Sequence, residues 1–162
     1  MTASVGAAVA TVLAVGLGPS PRLPVYLLAA VPGLLLALID LYCLRLPDRL
    51  VATLAITAGT PLTVLAPERL VPALLTAVTV LTAYGILASL PRGGLGLGDV
   101  KLAAVLGLIL GFAGWPAVIV GVLTPHLING PIALFLLVNG RRRVLPFGPA
   151  LLIGALLALT AA

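Results

Sequence analysis

Only four acidic side chains occur in this chain: Asp40, Asp48, Glu68 and Asp99. Asp40 closes the apolar run 23–39. Asp99 follows Gly96-Leu97-Gly98 and opens another apolar stretch. A carboxyl group in or beside a bilayer costs about 2.5–3.5 kcal/mol on insertion scales, so such residues are retained for function. Two carboxyl groups at one site share a proton: one acts as base on a water while the other, protonated, polarises a scissile carbonyl. Such a pair titrates as a unit. Gly96 and Gly98 leave space beside the second carboxylate, permitting unusual dihedrals and close approach of a substrate backbone. The competing reading is a turn in which Asp99 serves as a helix N-cap.

The elements that position these residues follow from composition. The chain is 62% hydrophobic and 8% charged, against a charged fraction of ~25% in soluble domains. Its charges separate long uncharged runs at 23–39, 50–67, 70–91, 102–140 and 144–162. One bilayer crossing takes about 20 apolar residues. The run 102–140 is too long for one crossing and breaks between Gly111 and Pro116, so it reads as two helices. The expectation is an all-α integral membrane protein, one membrane-embedded domain over 1–162. Its helices are expected near 2–18, 23–45, 49–66, 69–90, 99–112, 115–139 and 147–161, because lipid leaves an unpaired backbone group unsatisfied. The segment 1–18 lacks the basic flank of a signal peptide and reads as a retained helix. Cys43 is the one cysteine. It can form no intramolecular disulfide and no cysteine-based zinc site, and it reads as a small apolar filler.

Charge sets the topology. Arg45, Arg49, Arg92, Lys101, Arg141, Arg142 and Arg143 fall on one side of such a bundle, and only Arg22 and Arg69 on the other. This positive-inside bias makes the loops at 46–48, 91–98 and 140–146 cytoplasmic, with the N-terminus inside and the C-terminus outside. The basic residues then need no nucleic-acid partner. The helix at 99–112 rises about 21 Å, short for a core of ~30 Å. It is either re-entrant or crossing, and parity favours crossing, since otherwise the arginines at 141–143 land outside. Asp40 and Asp99 then share one membrane level on the cytoplasmic side.

Three segments resemble a known family. Gly96-Leu97-Gly98-Asp99-Val100-Lys101-Leu102 is similar to the Gly-x-Gly-Asp-x-Lys-Leu signature of the type IV prepilin peptidases, intramembrane aspartic proteases of the GxGD class. Ile39-Asp40, with Leu46-Pro47-Asp48 downstream, resembles the family's first motif. Leu145-Pro146-Phe147-Gly148-Pro149 resembles its late Pro-Phe-Gly-Pro segment. The resemblance implies Asp40 and Asp99 as catalytic residues, with Gly96, Gly98, Lys101, Pro47 and Asp48 binding substrate or shaping the site. It implies cleavage of the leader of a prepilin or pseudopilin at the cytoplasmic face of the bacterial cytoplasmic membrane. No metal or cofactor is needed. Long members carry a cysteine-tetrad domain and also methylate the new N-terminus. With Cys43 alone, this chain resembles the short form, and proteolysis without methylation is expected.

Several residues carry two readings. Asp48 is either the N-cap of the helix at 49 or a holder of the leader's positive charge. Lys101 is an interfacial anchor, or it orients the active-site loop or a lipid phosphate. Glu68 reads as a solvated loop charge. Pro125 and Pro131 break backbone bonds in the sixth helix, where His126 and Asn129 cover the freed groups. Arg141, Arg142 and Arg143 suit anionic lipid headgroups. Arg45 and Arg92 flank the site. Gly33, Gly107 and Gly111 permit close helix packing. Two other classes compete with the peptidase: a small transporter whose aspartates relay protons or bind cations, and a non-catalytic assembly factor of a pilus or secretion machine.

Overall fold

A computed structural model describes residues 2–90, 95–139 and 145–161, and these described residues form seven α-helices. They are α1 (Thr2–Leu17), α2 (Leu23–Cys43), α3 (Asp48–Leu65), α4 (Leu70–Ser89), α5 (Leu97–Ala113), α6 (Trp115–Val138) and α7 (Gly148–Ala161), with a 3₁₀ turn at Pro67–Arg69. Leu23–Cys43, Pro67–Ser89 and Trp115–Leu136 are long and apolar enough to cross a bilayer, and α1 and α7 are shorter apolar helices. Large apolar side chains face outward on every side, among them Leu28, Val31, Ile56, Leu75, Val78, Leu127 and Phe135. A soluble domain does not leave so continuous an apolar surface in water. Helix hydroxyls are turned inward on their own backbone: Thr11, Thr53, Thr63, Thr79 and Thr82 each donate to the carbonyl four residues back at 2.8 Å. That satisfies each hydroxyl where no water is available.

α5 is the inner helix, packed against α3, α4, α6 and α7, while α7 also meets α1 and α2. Burial around most of α5 takes in Val100, Leu102, Leu106, Ile109, Leu110 and Phe112. The close α4 contact depends on Gly107 and Gly111. A Cβ on Gly107 would lie 3.1 Å from Val80, and one on Gly111 would strike Thr76 Oγ1 and come within 2.5 Å of the Ala73 Cα. Thr76 Oγ1 donates across the seam to the Gly107 carbonyl at 3.0 Å. Gly111→Ala is expected to destabilise the protein by about 1–3 kcal/mol, the usual effect of overpacking, read as a lowered melting temperature in detergent. At Gly33 a Cβ would make only ordinary contact with Leu152, at 3.4 Å, so that glycine is not required for packing.

The structure resolves the short helix. α5 has 17 residues, a rise of about 25 Å. At its first turns Lys101 binds Asp48, where α3 begins. At its far end the carbonyls of Phe112 and Ala113 accept hydrogen bonds from Arg69, just past the end of α3, at 3.0 and 3.4 Å. α5 therefore runs the length of α3 and crosses the bundle. Arg69 is placed where a cation favours a helix C-terminus. Two expectations are corrected. Asp48 is the first residue of α3, not its cap; Pro47 holds the cap position and no side chain caps the helix. Cys43 is exposed rather than packed as filler, because α2 ends there and Leu44 turns left-handed (φ 51°, ψ 37°).

Candidate active site

The site assembles at the end of the bundle where α2 stops and α3, α5 and α7 begin. Asp40, on the last turn of α2, is 4% exposed. Its Oδ2 accepts a hydrogen bond from the Gly148 backbone N–H at 2.9 Å. Gly148 opens α7, so the carboxylate sits against a helix N-terminus, where free N–H groups and the helix dipole favour an anion. Gly148 must lack a side chain there: a Cβ would lie 2.9 Å from Oδ2 and 3.2 Å from the Cγ of Asp40.

Asp99 sits in the first turn of α5, whose cap position is Gly96. It is not itself the cap. Its Oδ2 reaches back to accept from the Gly96 N–H at 3.1 Å, the carboxylate half of a capping box. Among the described residues, Asp99 Oδ1 is the buried side-chain oxygen without a hydrogen-bond partner.

Gly96 leaves space beside the Asp99 carboxylate as expected, since a Cβ there would lie 3.2 Å from Oδ2, but neither glycine adopts unusual dihedrals. Gly96 has ordinary extended dihedrals (φ −74°, ψ 150°), and Gly98 is not among the positive-φ residues. Gly98 is needed for approach: a Cβ there would lie 2.9 Å from the Leu46 Cβ. The start of α5 thus rests directly on the loop between α2 and α3. Beside that contact, Lys101 Nζ donates to both oxygens of Asp48 at 2.8 Å. The pair is exposed on both sides. It joins the Pro47-Asp48 segment to the Gly96–Lys101 turn and occupies the Asp48 carboxylate.

The third wall comes from α4, α6 and the approach to α7. Tyr84, His126 and Phe147 form a trio of edge-to-face rings, with centroids 5.5 Å apart for Tyr84–His126, 5.6 Å for His126–Phe147 and 6.3 Å for Tyr84–Phe147. His126 Nδ1 lies 2.8 Å from the Val122 carbonyl; a carbonyl only accepts, so Nδ1 carries the proton. Asn129 Nδ2 donates to the Pro146 carbonyl at 3.4 Å. The polar residues of α6 thus hold the segment that leads to Gly148. Glu68 is exposed at the opposite end of the bundle. Arg92 and Arg141, Arg142 and Arg143 lie outside the described residues. Among the described residues, no group of three His, Cys, Asp or Glu side chains is placed to hold a metal ion.

Sequence reasoning found the late Pro-Phe-Gly-Pro segment but assigned it no contact. Its role is to bring a helix N-terminus to Asp40. Tyr84 was missed altogether. Its one sequence signal is a phenol inside an otherwise apolar helix.

An all-helical bundle with an apolar surface defines a membrane protein, and Asp40 and Asp99 lie at the same end of it. The chain matches the type IV leader peptidase family over residues 27–159. It belongs to that family, and it is a peptidase. No curated protein and no solved structure matches it.

Proposed function

We propose that this chain is an aspartic endopeptidase in which Asp40 and Asp99 jointly hydrolyse one peptide bond of a prepilin-like precursor at the cytoplasmic face of a bacterial cytoplasmic membrane. The observation that carries this reading is that Asp40, held by the first N–H of α7, and Asp99, in the first turn of α5, lie at the same end of the bundle. One carboxylate takes a proton from a water, whose oxygen attacks the scissile carbonyl carbon. The protonated partner gives its proton to the carbonyl oxygen. Collapse of the tetrahedral intermediate breaks the C–N bond, and the proton passes to the leaving amine. The buried Asp99 Oδ1 has no protein partner to give up when water or substrate arrives.

The basic residues support the side. Arg45, Arg49 and Lys101 belong to the end that holds the aspartates, and Arg69 to the other, as the positive-inside rule asks of a cytoplasmic site. An apolar cavity of about 260 Å³ between α1, α2 and α7 reaches Ala37 and Pro149, one turn from Asp40 and next to Gly148. It suits the apolar part of a membrane-anchored precursor. We assign proteolysis to these residues and no methylation. The test is reconstitution in vesicles with a prepilin, read as the mobility shift of the shortened product. A precursor left intact by the wild-type protein defeats the proposal.

Lys101 and Asp48 are proposed to set the register between the two aspartate-bearing segments. As an exposed pair they contribute at most about 1 kcal/mol to stability. Asp48→Lys and Lys101→Asp are each expected to lower cleavage, and the charge-swapped double variant to regain most of it, as a double-mutant cycle would show.

A further inference from the structure

α1 is the helix held least firmly in the bundle. It packs on α2 and α7, and among its described residues only Leu13 is buried. Beneath it lies the apolar cavity of about 260 Å³. α2 and α7 form the walls of that cavity, and Leu54 of α3 with Leu106 and Ile109 of α5 form its floor. The roof is α1 itself, through Val5, Val9 and Leu13, which repeat every four residues and so share one helix face.

The direction of α1 is fixed by its contacts. A Cβ on Gly6 would lie 3.8 Å from Leu34 Cδ1, late in α2, and one on Gly16 would lie 2.5 Å from Thr160 Cβ, near the end of α7. α1 therefore runs antiparallel to α2 and parallel to α7. Its N-terminus stands at the end of the bundle that holds Asp40 and Gly148. The tight contact, at Gly16, is at the far end, and the part of α1 nearer the aspartates rests on the cavity. That cavity runs up to Ala37, about one turn before Asp40, and to Pro149, beside the Gly148 whose N–H holds Asp40.

We infer that the groove between α2 and α7 is the docking groove for the apolar helix of the precursor, and that α1 is its resident occupant, displaced when the precursor binds. A precursor whose leader stays at the aspartate end presents an apolar helix of the same polarity as α1. Displacement is required by size. From Pro149 to Leu159 the cavity extends about 15 Å along α7, so its 260 Å³ gives a mean cross-section of about 17 Å². A helix about 10 Å across needs roughly 80 Å², which the groove offers only with α1 moved aside. The inference rests on the prepilin-peptidase reading for the identity of the partner.

The experiment closes the groove reversibly. Cys43, the one cysteine, is replaced by alanine, and Gly6→Cys and Leu34→Cys are joined by a short thiol-specific linker that reduction releases. The linked protein is expected to cleave a membrane-anchored precursor at least about tenfold more slowly than the same protein after reduction, since the binding-competent fraction falls. A soluble peptide carrying the leader and the cut site should be cleaved equally in both states. Anchored precursor cleaved as fast with the linker in place overturns the inference. So does equal slowing of the soluble peptide, which marks a distorted aspartate site instead. Binding is read without cleavage: a photo-reactive phenylalanine in place of Ile153, on the α7 wall, is expected to capture precursor after reduction and not while linked. Capture of lipid alone in both states overturns the inference in favour of a lipid-filled groove. If precursor is captured but the wild-type protein cleaves none, the peptidase reading falls and the groove stands.

Discussion

Asp99→Asn is expected to abolish cleavage of a prepilin precursor while leaving the fold in place. The amide oxygen of asparagine accepts from the Gly96 N–H as the carboxylate does, at a site where that bond measures 3.1 Å. The turn that opens α5 therefore survives. What disappears is a group that gains and loses a proton. General acid–base catalysis contributes about 10²–10⁴-fold, so the residual rate should fall by at least that factor. Asp40→Asn follows the same logic, since its amide oxygen still accepts from Gly148, now 2.9 Å from Oδ2. Because both residues serve one proton-sharing unit, the double variant should be hardly slower than either single one. The fraction of precursor shortened over time on a gel, with melting temperatures in detergent, checks all three. Cleavage by Asp99→Asn at near wild-type rate removes the dyad. Cleavage that survives Asp40→Asn and is lost in Asp48→Asn makes Asp48 the partner instead.

Gly148→Ala is expected to impair cleavage by displacing the Asp40 carboxylate. Its Cβ would lie 2.9 Å from Asp40 Oδ2, 3.2 Å from Cγ and 3.3 Å from Cβ. The far end of a flexible side chain could swing away, but Asp40 is short and 4% exposed. Either the carboxylate leaves the α7 amide or α7 itself shifts. A displacement on the order of 1 Å at a catalytic group costs roughly 10²-fold in rate, and overpacking costs about 1–3 kcal/mol in stability. Gly85→Ala is the matched control. It is a helical glycine with nothing within 4 Å of the added Cβ, and it should gain up to about 1 kcal/mol from helix propensity. Parallel cleavage rates and melting curves separate the two. Wild-type activity in Gly148→Ala would show that the Asp40–Gly148 contact does not position the carboxylate.

Much of the bundle was legible because its causes are local. Uncharged runs of the right length name the helices, and the expected bounds match within a few residues. The largest differences are two residues, at the start of α5, expected at 99 and found at Leu97, and at the end of α2. α2 was expected to reach 45 and ends at Cys43, because Leu44 leaves the helix for a left-handed conformation. No glycine marks that stop, so the sequence carries no signal for it. The expected break between Gly111 and Pro116 falls at Gly114 (φ 118°), as a residue free of a Cβ allows. The roles of Gly96 and Gly98 were less legible. A Gly-x-Gly string announces backbone freedom, yet what Gly98 supplies is room for Leu46, and that neighbour is fixed only when α5 packs beside α3.

By itself the sequence determined that the chain is an apolar helical bundle with two of its four acids at one level. Hydrophobic run length and the distribution of nine basic residues are properties of each segment and its flanks, independent of which helices touch. Tertiary structure alone decided who meets whom. Lateral neighbours depend on side-chain fit along whole helix faces, and in a chain this uniformly apolar many faces read alike. Hence the placing of α7's first N–H on Asp40, of Lys101 on Asp48 and of Tyr84 against His126 and Phe147 was settled only by packing. So was the buried Asp99 oxygen left without a protein partner.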